Sequence, residues 1–435
     1  MVSIAKVNIW NTFVGAVAWD DSRGYATFEF DPNFLKKKWN LSPLVMSIED
    51  VSKSRSIFSF PNLNKETYKG LPGMLADSLP DKYGNKLIEA WLARNGRDAG
   101  SFNSVERLCY TGKRGMGALE YEPATHAFDD SSKSIEIEKL VRLAKDVLSD
   151  RENLKTRISA GSDEGLLDII RVGTSAGGAR AKAIIAYNEK TGDVRSGQID
   201  GLENYDYWII KFDGVTNEQL GDPKGYGKIE YAYYLMAKEC GINMMDSRLL
   251  EKNRRAHFMT KRFDRQGTKK LHLQTLCAIA HFDYNDPAAY SYEQAFQVMR
   301  QLRLPYRDAE ELLRRMCFNV IARNQDDHTK NISFLMDENG EWALSPAYDV
   351  TYAYDPANKW MKDHQMSING KRKDIERSDM VALAKKMNIK KPDEIIEKII
   401  SKVMNWSKYA DKAKVSAKQT KAIERTFLFM KGTGK

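Results

Sequence analysis

The chain has 435 residues, 68 Lys and Arg against 59 Asp and Glu, a formal net charge of +9, and 42% apolar residues. That length exceeds what one hydrophobic core usually serves, so two or three packed units are expected; no apolar run approaches the roughly 18 residues of a membrane span, which excludes a helical membrane protein. Met1 to Asn11 lacks the basic start and apolar stretch of a secretory signal. Cys109, Cys240, Cys277 and Cys317 are scattered without CxxC spacing, which argues against a disulfide framework or structural zinc and for reduced thiols in a cytoplasm.

At the amino terminus VNIWNTFVGAVAW and GYATFEF alternate as strands around a turn at Asp20 to Gly24. GLPGMLADSLPDKYG then leads into a helix from about Asp81, with Leu87, Ile88, Trp91 and Leu92 at helical spacing. RGMGALEYEP, Arg114 to Pro123, reads as a glycine turn and a closing strand before a linker helix around Ile135 to Leu148. No catalytic constellation falls in this part. A small α+β domain that packs on the rest, or presents a surface to a partner, is the reading the residues favour.

From about Arg157 the pattern is that of a nucleotide-binding lobe. IIRV enters GTSAGGARA, Gly173 to Ala181, and KAIIAY leaves it, giving a strand, a Gly/Ser-rich loop and a strand. Small residues let backbone N–H groups approach phosphate, and Thr174 or Ser175 adds a hydroxyl. The loop is not a Walker A, because no GK[ST] follows and it opens a strand rather than a helix. Taken alone it is more often a plain hairpin loop. YWIIKF then ends on Lys211, and Glu230 opens EYAYYLMAKECGI, an amphipathic helix stopped by Gly241. A strand lysine steadied by a helix glutamate is how kinases hold the α- and β-phosphates. In HFMTKRFDR, His257 to Arg265, an apolar strand turns polar, and the backbone of Lys261 and Phe263 can meet an adenine edge. Beyond Gln274 helices are expected at Tyr292 to Leu302, Ala309 to Ala322, Met380 to Lys386, Asp393 to Trp406 and Ala417 to Met430.

The densest polar pattern is NQDDHTKN, Asn324 to Asn331. Asp326 and Asn331 have the D-x-x-x-x-N spacing of a phosphoryl-transfer loop, in which the acid accepts a hydroxyl proton and the amide oxygen curls back to hold Mg²⁺. ISFLM, the turn DENG and WALSPAYDV follow as two short strands that deliver Asp349, a second carboxylate for the metal. A polar loop capping the helix that ends near Ala322 is the bland alternative, and the flanking helix and hairpin weigh against it. Lysines and arginines gather at Lys371 to Lys373 and Lys412 to Lys421, but Asp374 and Asp411 adjoin them, so a solvated helical face is favoured over a nucleic-acid surface.

GTSAGGARAK, WIIKF, the Glu230 helix, KRFDR, NQDDHTKN and SPAYDVT, in that order behind GLPGMLADSLPDKYG, resemble the HipA family of toxin serine/threonine kinases over nearly the whole chain. The resemblance implies an α+β, two-lobed protein-kinase-like fold. Residues 1–125 would be the β-rich amino-terminal subdomain, 126–264 the linker helix and nucleotide-binding lobe, and 265–435 the helical catalytic lobe. It implies ATP and Mg²⁺ as cofactors and transfer of the γ-phosphate to a protein serine or threonine. Asp326 would be the base with His328 beside it, and Asn331 and Asp349 the metal ligands. Nucleotide contacts would come from Thr174, Ser175, Ala176, Gly177, Gly178, Ala179, Arg180, Lys182, Lys211, Glu230, Lys261, Arg262, Phe263, His328, Lys330, Asn331, Tyr348 and Asp349. Ser175 matches the family serine whose phosphorylation turns the kinase off.

A HipB-like helix-turn-helix antitoxin, a protein substrate such as an aminoacyl-tRNA synthetase, and operator DNA met mainly through the antitoxin are the implied partners, with no membrane involved. Ala181 stands where many relatives have proline, and Lys261 at a position acidic in some; neither removes a catalytic group. A small-molecule kinase and a catalytically silent binding module remain as rival readings.

Overall fold

The computed structural model describes residues 2–52, 56–94, 96–125, 134–149, 180–198, 202–215 and 225–428. Apolar alternation at the amino terminus yields β1 (Ile4–Ile9), β2 (Thr12–Asp20) and β3 (Tyr25–Phe30), joined by β4 (Ile57–Ser59) and β5 (Leu119–Glu122) in an antiparallel sheet of order β4-β3-β2-β1-β5. The stretch VNIWNTFVGAVAW, expected as one strand, is two. It reverses at Trp10 and Asn11, which both take left-handed backbone (φ 46° and 56°) and pair Ile9 with Thr12. Such a two-residue turn normally announces itself with Asn-Gly, and a tryptophan in the first position hides it. Trp10 holds the turn through its indole N–H, which donates to the Lys270 carbonyl at 2.6 Å. The expected turn after β2 is present, with Asp20 Oδ1 accepting from the backbone N–H groups of Ser22 and Arg23.

A second antiparallel sheet contains β6 (Lys182–Tyr187), β7 (Val194–Ser196), β8 (Asp206–Lys211), β9 (Ser247–Lys252) and β10 (Arg255–Lys261), ordered β7-β6-β8-β10-β9. Strand periodicity separates its faces. Ala183, Ile185, Trp208, Ile210 and Met259 lie on one face, in a core completed by Leu87, Ile88 and Leu92 of the helix Lys82–Arg94 and by Leu140 and Val141 of the helix Ile137–Ser149. Lys182, Lys211 and Phe258 are cross-strand partners and so share the other face.

The chain divides into two compact units, the first comprising residues 1–224, 250–273 and 336–340 and the second 225–249, 274–335 and 341–435. The second is built on helices, including Tyr226–Cys240, Tyr292–Gln301, Tyr306–Ile321, Arg377–Lys386 and Pro392–Val403. Gly241 closes the first of these with φ 86°, a left-handed cap that its lack of Cβ permits. The single helix expected from Asp393 to Trp406 breaks after Val403, and a new one, Trp406–Lys412, begins. Trp406 is fully buried, 5.4 Å from the Tyr233 ring and donating to the Thr420 carbonyl, and the break turns it inward. The last helix stops at Glu424 rather than Met430, because the chain straightens to let the Leu428 N–H donate to the Ile321 carbonyl. Among the described residues no helix is long and apolar enough to cross a membrane, and all four cysteines are free and buried.

Two buried histidines of the first unit make its stability acid-sensitive. Burial disfavours the imidazolium of His257 and of His272 and pushes each down to about 4, and His257 Nδ1 accepts the Asp213 N–H, a bond only the deprotonated nitrogen makes. The unfolded chain, titrating near 6.5, binds the extra protons first. Stability is therefore full above pH 6.5 and lost as pH falls toward 4. Urea midpoints should fall between pH 7 and pH 5 by an amount worth on the order of 3 kcal/mol for the pair. Equal midpoints at both pH values would contradict this.

Candidate active site

In the first unit the row Lys182, Lys211, Phe258 crosses the face of the sheet opposite the core. Lys211, the last residue of β8, is half-buried with its Nζ 5.8 Å from the centroid of the Phe258 ring, so the aromatic face steadies the ammonium. Lys182, at the start of β6, is buried and ion-paired at 3.2 Å with Asp81, which also caps the helix Lys82–Arg94 by accepting the Gly84 N–H. Sequence reading took the Asp81 segment to be without chemistry; in the structure it anchors a candidate nucleotide residue 101 positions away. Asp81→Asn keeps the cap and removes the charge. It should lower unfolding stability by about 3 kcal/mol, largely recovered when Lys182→Met accompanies it, as read by chemical denaturation. Arg180 lies at the edge of the described residues, and Thr174, Ser175, Ala176, Gly177, Gly178 and Ala179 lie outside them.

The KRFDR segment begins at Lys261, the last residue of β10. The Arg262 N–H donates to the Tyr207 carbonyl, and the buried Arg262 side chain turns inward to Asp264 and the Gly115 carbonyl, so it shapes the segment from within. Lys261 pairs with Asp206 at 2.9 Å and lies over Trp208, so its side chain is engaged along the sheet. Asp264, fully buried, accepts from Arg262, Arg265 and the Gly117 N–H. Burial alone would raise its carboxyl, but the two guanidinium groups prevail and hold it well below the usual range. Gly117 has φ 79°, and a Cβ there would come within 3.1 Å of Leu273.

In the second unit, Glu230 is buried within the helix Tyr226–Cys240. Tyr233 of that helix donates to the Ala322 carbonyl at 2.6 Å, fixing the end of Tyr306–Ile321 where the Asn324 to Asn331 loop begins. The two adjacent aspartates of the loop have opposite environments. The Asp326 side chain is 51% exposed with His328 Nε2 at 3.7 Å, whereas Asp327 is buried among hydrogen-bond donors. Of the two, Asp326 is the one open to solvent. His328 packs against Tyr284, and its Nδ1 is buried without a hydrogen-bond partner among the described residues. Lys330 Nζ sits 4.7 Å from the same tyrosine's ring centroid.

Asn331 closes the loop. Its amide N–H₂ donates to the Asp326 carbonyl at 2.6 Å, which directs the donor end inward and makes the oxygen the end suited to a cation. Asp349 is joined to this loop through its neighbour. The Tyr348 hydroxyl donates to the Lys330 carbonyl and meets Ser333 Oγ, tying the residue before Asp349 to the residue before Asn331. Arg315, which donates to the Ser345 carbonyl at 2.7 Å, holds the chain just ahead of this segment. Asp349 itself is left-handed (φ 52°), a conformation that Asp tolerates better than most residues and that is concentrated at functional positions. The Asp349 carboxylate and the Asn331 amide oxygen are hard ligands of the kind Mg²⁺ takes. Among the described residues no three His, Cys, Asp or Glu gather as a metal-binding group.

A HipA N-terminal domain model matches residues 5–122 and a HipA-like C-terminal domain model residues 174–408. The chain belongs to the HipA family. Its fold is similar to that of HipA from the Shewanella oneidensis MR-1 toxin–antitoxin system, solved with HipB and operator DNA. The TM-score is 0.66 at 15% identity, over 97% of this chain and 94% of that one. The Helicobacter pylori proinflammatory kinase CtkA aligns over 52% of this chain and 89% of its own, at 14% identity and a TM-score of 0.31.

Proposed function

We propose that the chain is the toxin kinase of a toxin–antitoxin pair, transferring the γ-phosphate of ATP to a serine or threonine of a protein. The observation that carries this reading is the loop in which an exposed Asp326 carboxylate is paired with an Asn331 amide hooked back onto its own backbone. When bound, Mg²⁺ and ATP supply the transferable phosphoryl group and the countercharge it requires. Asp326 takes the proton of the substrate hydroxyl and orients its oxygen. Asn331 and Asp349 would hold the ion, and Lys211 would offset phosphate charge. Lys261 and Phe263 offer backbone to the adenine. Ser175, in the Gly-rich loop, is the residue whose phosphorylation would silence the enzyme. A HipB-like antitoxin carrying the DNA-reading helices is the proposed partner, supported by the Shewanella HipA solved with HipB and operator DNA. An aminoacyl-tRNA synthetase is the proposed substrate class.

The test is intact-mass analysis of phosphatase-treated protein after incubation with Mg-ATP, beside Asp326→Asn, together with labelled-phosphate transfer to the proteins of a cell extract. The expected result is one added phosphate within residues 173–179, absent from the variant. No self-modification and no labelled protein would overturn the kinase reading.

A further inference from the structure

Asp327 is buried directly beside the exposed Asp326, and its carboxylate is filled by three donors. The Tyr292 hydroxyl reaches Oδ2 at 2.9 Å, His364 Nδ1 the same oxygen at 2.8 Å, and the Gln365 backbone N–H reaches Oδ1 at 2.7 Å. To donate to a carboxylate His364 must carry its hydrogen on Nδ1, and its other nitrogen is buried without a hydrogen-bond partner among the described residues. The chain of bonds runs on from Tyr292. Its oxygen accepts from Asn319 Nδ2 at 3.1 Å, and Asn319 Oδ1 accepts from Asn324 Nδ2 at 2.9 Å, which returns to the loop on the other side of Asp326. The backbone adds a further tie, since the Gln325 N–H donates to the Ala353 carbonyl and the Ala353 N–H to the Arg323 carbonyl, each at 3.0 Å. Asp326 is thus fastened on both flanks, and the segment 353–365 has both of its ends bonded to the same loop.

We infer that Asp327 is a positioning residue for phosphoryl transfer: through Tyr292, His364 and Gln365 it fixes the backbone that aims Asp326 and roots the segment 353–365 beside it. The inference rests on the kinase reading above. An exposed carboxylate on an eight-residue loop would otherwise sample several directions, and a misplacement of about 1 Å in a reacting group costs on the order of 100-fold in rate. The clamp confines that freedom without touching nucleotide or metal, so its loss should appear in turnover and not in nucleotide affinity.

The experiment compares wild type, Asp327→Asn, Tyr292→Phe, Asp326→Asn and the Asp326→Asn/Asp327→Asn double variant by ADP release with Mg-ATP, alongside hydrogen exchange of the full chain. Asp327→Asn should lower the maximal rate by about 10- to 100-fold, Tyr292→Phe by less, and both should leave the half-saturating ATP concentration within about threefold. In the Asp326→Asn background the Asp327 change should cost under about twofold, because its target is already gone. Exchange should quicken in residues 324–331 and stay slow in Tyr306–Ile321. An unchanged rate, an equal shift in ATP affinity, or a full-sized effect without Asp326 would overturn the inference. Inactive wild type would count against the kinase reading itself, and the clamp would then stand or fall on whether the faster exchange is confined to the loop.

Discussion

Asp326→Asn should reduce phosphoryl transfer by about 10²–10⁴-fold while leaving the thermal midpoint where it was. The expectation of a large kinetic effect with little structural effect follows from exposure: the side chain is half in solvent, and what the fold takes from this residue is its backbone carbonyl, the acceptor for Asn331. Asparagine keeps the size and removes the proton acceptor. Asp349→Asn should be similarly inactive for a different reason, loss of a charged metal ligand, and Mg²⁺ titration should separate the two. Excess Mg²⁺ is expected to restore part of the activity of Asp349→Asn and none of Asp326→Asn. Asparagine is the right replacement at Asp349 because it also accepts left-handed backbone, whereas alanine would add strain to the lost ligand. Near-normal transfer in either variant would remove that residue from the chemistry.

The largest effect on stability is expected at Asp264. Its carboxylate is fully buried and accepts from two guanidinium groups and one backbone N–H. Removing one member of such a set leaves buried positive charge without its counterion, and Asp264→Ala should cost about 3–5 kcal/mol in chemical denaturation. Mutating the arginines would disturb the same cluster from its periphery. Because the cluster also binds the turn around Gly117, the variant should loosen that turn together with the KRFDR segment, visible as faster exchange in both. A loss under about 1 kcal/mol would mean that the guanidinium groups find other partners or water.

What the sequence revealed, and what it hid, follows distance along the chain. The helix Tyr226–Cys240 was legible from Glu230 to its stop at Gly241, though not its first turn from Tyr226, and the hairpin before Asp349 was legible because DENG is a turn with flanking strands. The Asp326 to Asn331 spacing was legible for the same reason, since a loop that bonds to itself is written in consecutive residues. The two neighbouring aspartates, by contrast, look alike in sequence, and only burial separates them. The partners that separate them, Tyr292 and His364, are 35 and 37 residues away with no periodic relation to the loop. Asp81 was passed over because its partner Lys182 lies beyond a linker and a glycine-rich loop. The hairpin at Trp10 escaped because a tertiary bond to Lys270 stabilises a turn that local propensity does not favour.

The core under the second sheet bears on how the chain can be divided. Leu87, Ile88, Leu92, Phe102 and Tyr110 come from the segment matched by the HipA N-terminal domain model. Ala183, Ile185, Trp208 and Ile210 come from the segment matched by the C-terminal one, and the two sets form a single buried cluster. The two halves recognised as separate domains are therefore not modules that can be exchanged or expressed independently. A chain beginning after residue 125 would bare one side of its sheet and leave Lys182 without the Asp81 carboxylate, so the smallest part of this chain that keeps the sheet covered includes its amino-terminal segment.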